Sequence, residues 1–383
     1  MAATNSCYSF VTMYSYSTFL LLSVLAVFSG SNCFVQHVDP CPCKDPTHCN
    51  FITKTPEKEL FVFQASDQYW TDYDWSYITT VATFTPYNPE VMCTAHSKGA
   101  RLVMAEDYPG NQLSNATYRS AWVKQKVELA TKQHMDGINI DFESVLSLKN
   151  SHLLIALVNE TAQAFRTANP HTQITFDVPY GPGCTWSRCY DYKQLAAICD
   201  FLVIMDYDMV GGSPYAVSND GLKLVRLGIE SFQADGIPNN KLVTAVPWYG
   251  YDFTCTHLLQ DNICSFIGQQ DGVKIKNGVQ MYGKGVQRQY KIITQLLKNS
   301  TTGRIFNETL GSPFFNYVDP TTGGIRQLWY DDPESLMIRY SYAKSSQLRG
   351  VSMWNADFLD YTGDPDGRAL TKAMWDAINS FFL

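Results

Sequence analysis

A closed (β/α)8 TIM barrel is the fold this sequence predicts, and three observations carry the prediction. Apolar, β-branched runs of strand length recur along the chain, helical patterns lie between many of them, and the runs number eight. An open doubly wound sheet also alternates strands with helices, but it usually has a Gly-rich phosphate turn after its first strand. Phe63-Gln64-Ala65-Ser66 follows that strand instead. The 383 residues, 45% of them hydrophobic, are enough for one large core.

The elements come in order. Phe19 to Phe28 is a short apolar run followed by the small residues Ser29-Gly30-Ser31. It is too short to span a bilayer and reads as a signal peptide over residues 1–31, leaving 32–383 as a single catalytic domain. Strands are predicted at Leu60–Gln64, Thr79–Thr85, Arg101–Ala105, Gly137–Glu143, Gln173–Val178, Phe201–Tyr207, Leu242–Pro247 and Gly350–Trp354. Helical patterns fall at Pro89–Lys98, Tyr118–Gln133, His152–Thr167, Tyr192–Cys199, Leu222–Ala234 and Ala369–Phe381. Asp191 is the expected N-cap of the fourth helix, and Asn219 or Asp220 that of the fifth. From Phe253 to Leu348 the rhythm breaks into Gly-rich turns, strand-like Pro313–Val318 and Ile325–Tyr330, and two helical stretches. This interval reads as a small α+β insertion, about 254–348, elaborating the seventh βα loop.

Eleven cysteines are present, and removal of Cys7 with the leader leaves ten. Sequons at Asn115, Asn159, Asn299 and Asn307 agree with a secretory route. In that compartment Cys41-Pro-Cys43 with Cys49 is a disulfide-pinned loop rather than a zinc knuckle. Cys184/Cys189 and Cys255/Cys264 are close enough to staple local loops. The net charge of -7, without any Lys/Arg cluster, argues against nucleic acid or an anionic membrane as partner. No His/Cys/carboxylate grouping has convincing metal-ligand spacing, so no metal or other cofactor is expected.

The stretch from Asp136 to Glu143 (DGINIDFE) holds the chemistry. Its period-two alternation puts Ile138, Ile140 and Phe142 on one face and Asn139, Asp141 and Glu143 on the other. Such a polar row is tolerated where its members pair, or where substrate and water reach them. Asp136 has the wrong parity and joins that face only through a bulge. Functional groups in this fold gather at the C-terminal ends of strands. Other predicted ends carry Asp177-Val178-Pro179-Tyr180, Met205-Asp206-Tyr207-Asp208, Trp248-Tyr249 and Trp354-Asn355. A proton-carrying acid, phenols and aromatic platforms suit glycoside cleavage.

These motifs resemble glycoside hydrolase family 18, the chitinase family. Asp136, Asn139, Asp141 and Glu143 stand at its Asp-x-x-Asp-x-Asp-x-Glu positions, Met205, Tyr207 and Asp208 at Met-x-Tyr-Asp, and Trp354 at the eighth-strand Trp. The resemblance implies substrate-assisted retaining hydrolysis. Glu143 acts as acid and then base, Asp141 orients the substrate acetamido group, and Tyr207 hydrogen-bonds its oxygen. Asp136, Asn139, Met205, Asp208 and Trp354 join the substrate site. Most similar is the lysosomal branch that cuts the chitobiose core of free N-glycans. A secreted endochitinase and a non-catalytic lectin are the alternatives, and a monomer is expected. Asn139 departs from the motif, where most members carry Asp. An amide there can donate to Asp141, and less like-charge repulsion favours ionised carboxylates and an acidic optimum.

Overall fold

Eight parallel strands close a barrel in the computed structural model, which describes residues 41–383 except 212, 267–273, 277–278 and 282–284. The expected leader, Cys7 and Cys33 lie outside the described residues. The strands are β1 (Glu59–Gln64), β2 (Thr80–Thr83), β3 (Arg101–Glu106), β4 (Gly137–Ile140), β5 (Gln173–Pro179), β6 (Phe201–Met205), β7 (Leu242–Pro247) and β8 (Gly350–Trp354). Each pairs in parallel with its sequence neighbour, and β8 closes on β1. Around them lie α1 (Pro89–Ser97), α2 (Ala116–Lys132), α3 (Ser151–Ala168), α4 (Tyr192–Ile198) and α5 (Leu222–Ala234), then, after α6 (Tyr290–Leu297) of the insertion, α7 (Pro333–Ser345) and α8 (Pro365–Asp376).

Strand parity separates two apolar cores. Phe61, Phe63, Val103, Phe201, Val203 and Ala245 fill the lumen. Leu60, Leu102, Ile138, Ile140, Ile174 and Phe176 belong to the core between strands and helices. Ile138 and Ile140 are thus on the helix side, and the intervening Asn139 points into the lumen.

Two strands end earlier than their residue pattern predicts. β4 stops at Ile140 rather than Glu143: Asp141 N still donates to Glu106 O (2.9 Å), but the chain then leaves the ladder. β6 stops at Met205 rather than Tyr207: Asp206 N is shared between Ala245 O of β7 and Ile204 O, and Tyr207 N turns back onto Met205 O. At the other end of β4, a Cβ on Gly137 would lie 1.9 Å from Gln173 O, so only glycine permits this approach to β5.

Asp191 caps α4 by accepting from Gln194 N, as expected. Neither Asn219 nor Asp220 caps α5, whose N-cap is Gly221. Asp220 is instead committed to buried Arg339, and Asn219 Oδ1 accepts from Asp208 N at 2.8 Å.

The insertion between β7 and β8 is a five-stranded antiparallel sheet, ordered Val286–Gln289, Tyr249–Thr254, Ile325–Trp329, Ser312–Val318, Ile305–Asn307. It opens at Tyr249, ahead of the expected residue 254. Its expected end at 348 is also corrected, because α7 packs on β7 and β8 and is the barrel's own helix. Disulfides join Cys41–Cys93, Cys43–Cys49, Cys184–Cys189 and Cys255–Cys264, pinning the N-terminal loop to α1. Cys199 is a buried free thiol among the described residues. Among the described residues, no helix is long and apolar enough to cross a membrane.

Candidate active site

The lumen row of β4 meets that of β5. Asn139 Nδ2 donates to Asp177 Oδ2 (2.7 Å), and Thr175 Oγ1 donates to Asn139 Oδ1 (2.6 Å). The expected bond from Asn139 to Asp141 is therefore corrected: the amide is spent on Asp177. Sequence reading left Asp177 out of the site. The signal was present, since Gln173, Thr175 and Asp177 are polar in alternation with Ile174, Phe176 and Val178.

Asp177 is 2% exposed, and its Oδ1 has no hydrogen-bond partner among the described residues. Burial, reinforced by the charge of Asp141, raises its pKa well above the ordinary carboxylate range, against the Asn139 hydrogen bond. Asp141 is pushed up to about 7, first by burial and then by Glu143 and Asp107, with Arg188 opposing. The charge relief expected from Asn139 is thus outweighed for Asp141 by burial. Glu143 stands just beyond the strand with half of its side chain exposed, and Oε2 is 3.1 Å from Arg188 Nη2.

β6 brings Met205 and Tyr207 to the same lumen. Burial raises the Tyr207 phenol well above its usual pKa, and the charges of Asp177, Asp141, Glu143 and Asp208 add to this. The two predicted carboxylates and the predicted phenol therefore share one electrostatic environment. Asp208 takes a left-handed backbone (φ 57°), and its Oδ1 accepts from both Tyr249 Oη and Tyr251 Oη at 2.6 Å. Those two tyrosines come from the first strand of the insertion sheet; Tyr249 stands at the predicted end of the seventh strand, whereas nothing in the local pattern singles out Tyr251. Trp354 ends β8 half-buried, edge-on to Phe63 and Phe84 with ring centroids 5.4 and 5.3 Å away, against the lumen cluster that holds Met205 and Tyr207.

Asp136 does not join them. It is fully buried, its Oδ1 accepts from Ile52 N, and its Oδ2 accepts from Leu102 N and faces His96 Nε2 at 2.8 Å. With both oxygens occupied on the wall side, its expected substrate contact is corrected to a structural anchor. Trp248 and Asp206, also at predicted strand ends, are structural: Trp248 is buried edge-on to Trp375, and Asp206 accepts from Thr244 Oγ1.

A barrel mouth with a proton-holding carboxyl cluster, a buried phenol and a tryptophan face defines an acid–base glycosidase. Residues 105–358 match the model of Glycosyl hydrolases family 18. The chain belongs to that family. It is 39% identical over 366 residues to mouse di-N-acetylchitobiase, covering 94% of this chain and 96% of the relative. To the human di-N-acetylchitobiase it is 38% identical over 348 residues, covering 90% and 89%. Among solved structures, a class V chitinase from Nicotiana tobaccum in complex with NAG4 superposes with a TM-score of 0.66 at 17% identity, covering 85% and 100%. A Chromobacterium violaceum chitinase gives 0.66 at 16%, covering 85% and 99%. At such identities the structural likeness concerns the fold.

Proposed function

We propose that this glycosidase hydrolyses the β-1,4 bond between the two N-acetylglucosamine residues of the chitobiose core in free N-glycans, and the same bond in small chitin oligosaccharides. The supporting observation is the shared environment of Asp141, Glu143 and Tyr207, in which burial and the neighbouring Glu143 push Asp141 up to about 7 and the carboxyls hold a proton in common, leaving Asp141 ionised when that proton sits on Glu143. In this reading, Glu143 gives a proton to the departing glycosidic oxygen. The carbonyl oxygen of the substrate's own acetamido group attacks the anomeric carbon from the opposite face and closes an oxazolinium ion. Asp141 accepts the acetamido N–H and faces the developing positive charge, while Tyr207 donates to the acetamido oxygen. Water then opens the ring as Glu143 takes its proton back, so the anomeric configuration is retained. Trp354 is the floor under the sugar, and Asp208 and Met205 line its side.

The test is digestion of chitobiose-terminated free glycans and of longer chitin oligomers. Release of a single reducing-end N-acetylglucosamine supports the reading, whereas mid-chain cuts favour an endochitinase. The Glu143→Gln variant should bind but not cut, and an inactive wild type returns the chain to a lectin role. The four disulfides fit an oxidising compartment, and we extend the proposal to a monomeric lysosomal glycoprotein. Asn115, Asn159 and Asn299 are exposed and Asn307 half-buried, so glycan mapping should find the first three readily modified.

A further inference from the structure

We infer that Arg188 is a positioning residue for the proton donor: it fixes one oxygen of Glu143 and thereby assigns the transferable proton to the other. This rests on the reading of Glu143 as general acid.

Arg188 belongs to the short loop closed by Cys184–Cys189, and that loop is knitted to the segment carrying Glu143. Leu146 N donates to Ser187 O (3.1 Å) and Cys189 N to Leu146 O (2.9 Å). Tyr190 Oη donates to Phe142 O (3.1 Å) and Ser144 O (2.6 Å), the carbonyls on either side of Glu143. Tyr192 Oη donates to the Arg188 carbonyl (2.5 Å). Just before Arg188, two successive non-glycine residues, Trp186 (φ 54°) and Ser187 (φ 63°), take left-handed backbone. Such conformations persist where the surroundings over-determine them, and they cluster at functional sites.

The side chain is as fixed as its loop. Only 10% of the Arg188 side chain is exposed, against 49% for Glu143, and its guanidinium carbon lies 4.9 Å from the Trp186 ring centroid. A buried, stacked guanidinium therefore holds an otherwise exposed carboxyl by Oε2. Guanidinium nitrogens donate and never accept, so a protonated Glu143 in this pairing carries its proton on Oε1. That oxygen remains for the glycosidic oxygen. As the proton departs, negative charge grows on Glu143 beside a fixed cation, so the pair tightens along the reaction coordinate.

The role is separable from structural support by leaving group. Departure as a sugar alkoxide needs protonation, whereas p-nitrophenolate departs with little help. For Arg188→Gln we expect kcat/KM on N,N′-diacetylchitobiose to fall about 10²-fold, the usual scale of general-acid assistance. On the p-nitrophenyl glycoside of N-acetylglucosamine the loss should stay below about tenfold. Arg188→Lys should recover part of the difference, since it keeps the charge but loses the planar fork. Equal losses on the two substrates, or none, overturn the inference, and if Arg188→Gln fails to fold, the same comparison on Arg188→Lys decides it. Failure of the underlying reading looks different: Glu143→Gln would retain wild-type activity on the disaccharide, whatever the Arg188 variants do.

Discussion

Asn139 shows how one hydrogen bond sets the charge of a site. Because its amide is given to Asp177, a second carboxyl is held in the lumen beside Asp141, and burial outweighs the relief of lacking a third. The cluster must hold a proton to act, and Asp141 loses its proton near pH 7. We therefore expect kcat/KM to fall as pH rises through about 7. Asn139→Asp adds a like charge and should move that alkaline limb upward, by roughly one pH unit. Asp177→Asn removes a buried carboxyl on which the shared proton can reside and should move that limb downward. An unchanged limb in both variants would show that these carboxyls do not share the proton. Tyr207→Phe removes the proposed donor to the acetamido oxygen, and kcat should drop about 10²-fold with fold stability preserved. That Asp141, Glu143 and Tyr207 lie near one another at the strand ends was legible from alternation and from the motif resemblance. The anchoring role of Asp136 was not, because motif spacing does not say that Leu102 N, Ile52 N and His96 converge on that carboxylate.

At the scale of elements, the eight strands were legible because burial on both faces leaves apolar runs, and α4 because of its Asp cap. Strand ends were read too long: alternation continues through Phe142 and Tyr207, whereas the ladder stops at Ile140 and Met205. Side-chain pattern records which face is buried, but not where the chain itself bends out of the ladder, since Glu106 O and Ala245 O still accept from Asp141 N and Asp206 N. Arg188 escaped for a related reason, since its role arises where two loops meet and neither loop is periodic. The β4–β5 contact makes a sharp prediction. Gly137→Ala puts a methyl 1.9 Å from Gln173 O, and denaturant unfolding should show a loss of about 3 kcal/mol or more. Tyr190→Phe unties the carbonyls flanking Glu143. Differential hydrogen exchange should show faster exchange across residues 142–146, with kcat reduced more than KM is raised; unchanged exchange would mean that the disulfide loop alone holds the segment.

For the whole molecule, the buried ionisable groups point to one direction of pH dependence. His96 ties the N-terminal disulfide loop to the barrel wall, with Nδ1 2.6 Å from His48 O and Nε2 2.8 Å from Asp136 Oδ2. Both ring nitrogens face acceptors, so the arrangement calls for the doubly protonated ring. Burial favours the neutral form, but the Asp136 hydrogen bond and charge and the His48 carbonyl outweigh it and raise the pKa. A raised histidine contributes stability that is complete below the unfolded value, about 6.5, and is lost as pH rises through the folded value. Asp141 and Asp177 act with the same sign: their raised values favour the fold below about pH 4, and that contribution is lost as pH climbs, through about 7 for Asp141. Buried Asp206, raised chiefly by desolvation, adds to the trend. The melting midpoint should therefore be several degrees higher at pH 5 than at pH 8, in keeping with the proposed lysosomal site of action. The contributions can be separated. His96→Gln should cost about 1–3 kcal/mol at pH 5, where the charged hydrogen bonds are intact, and distinctly less at pH 8. If the cost is the same at both pH values, His96 is held neutral, and the acid stability of the fold rests on the buried carboxyls Asp141, Asp177 and Asp206.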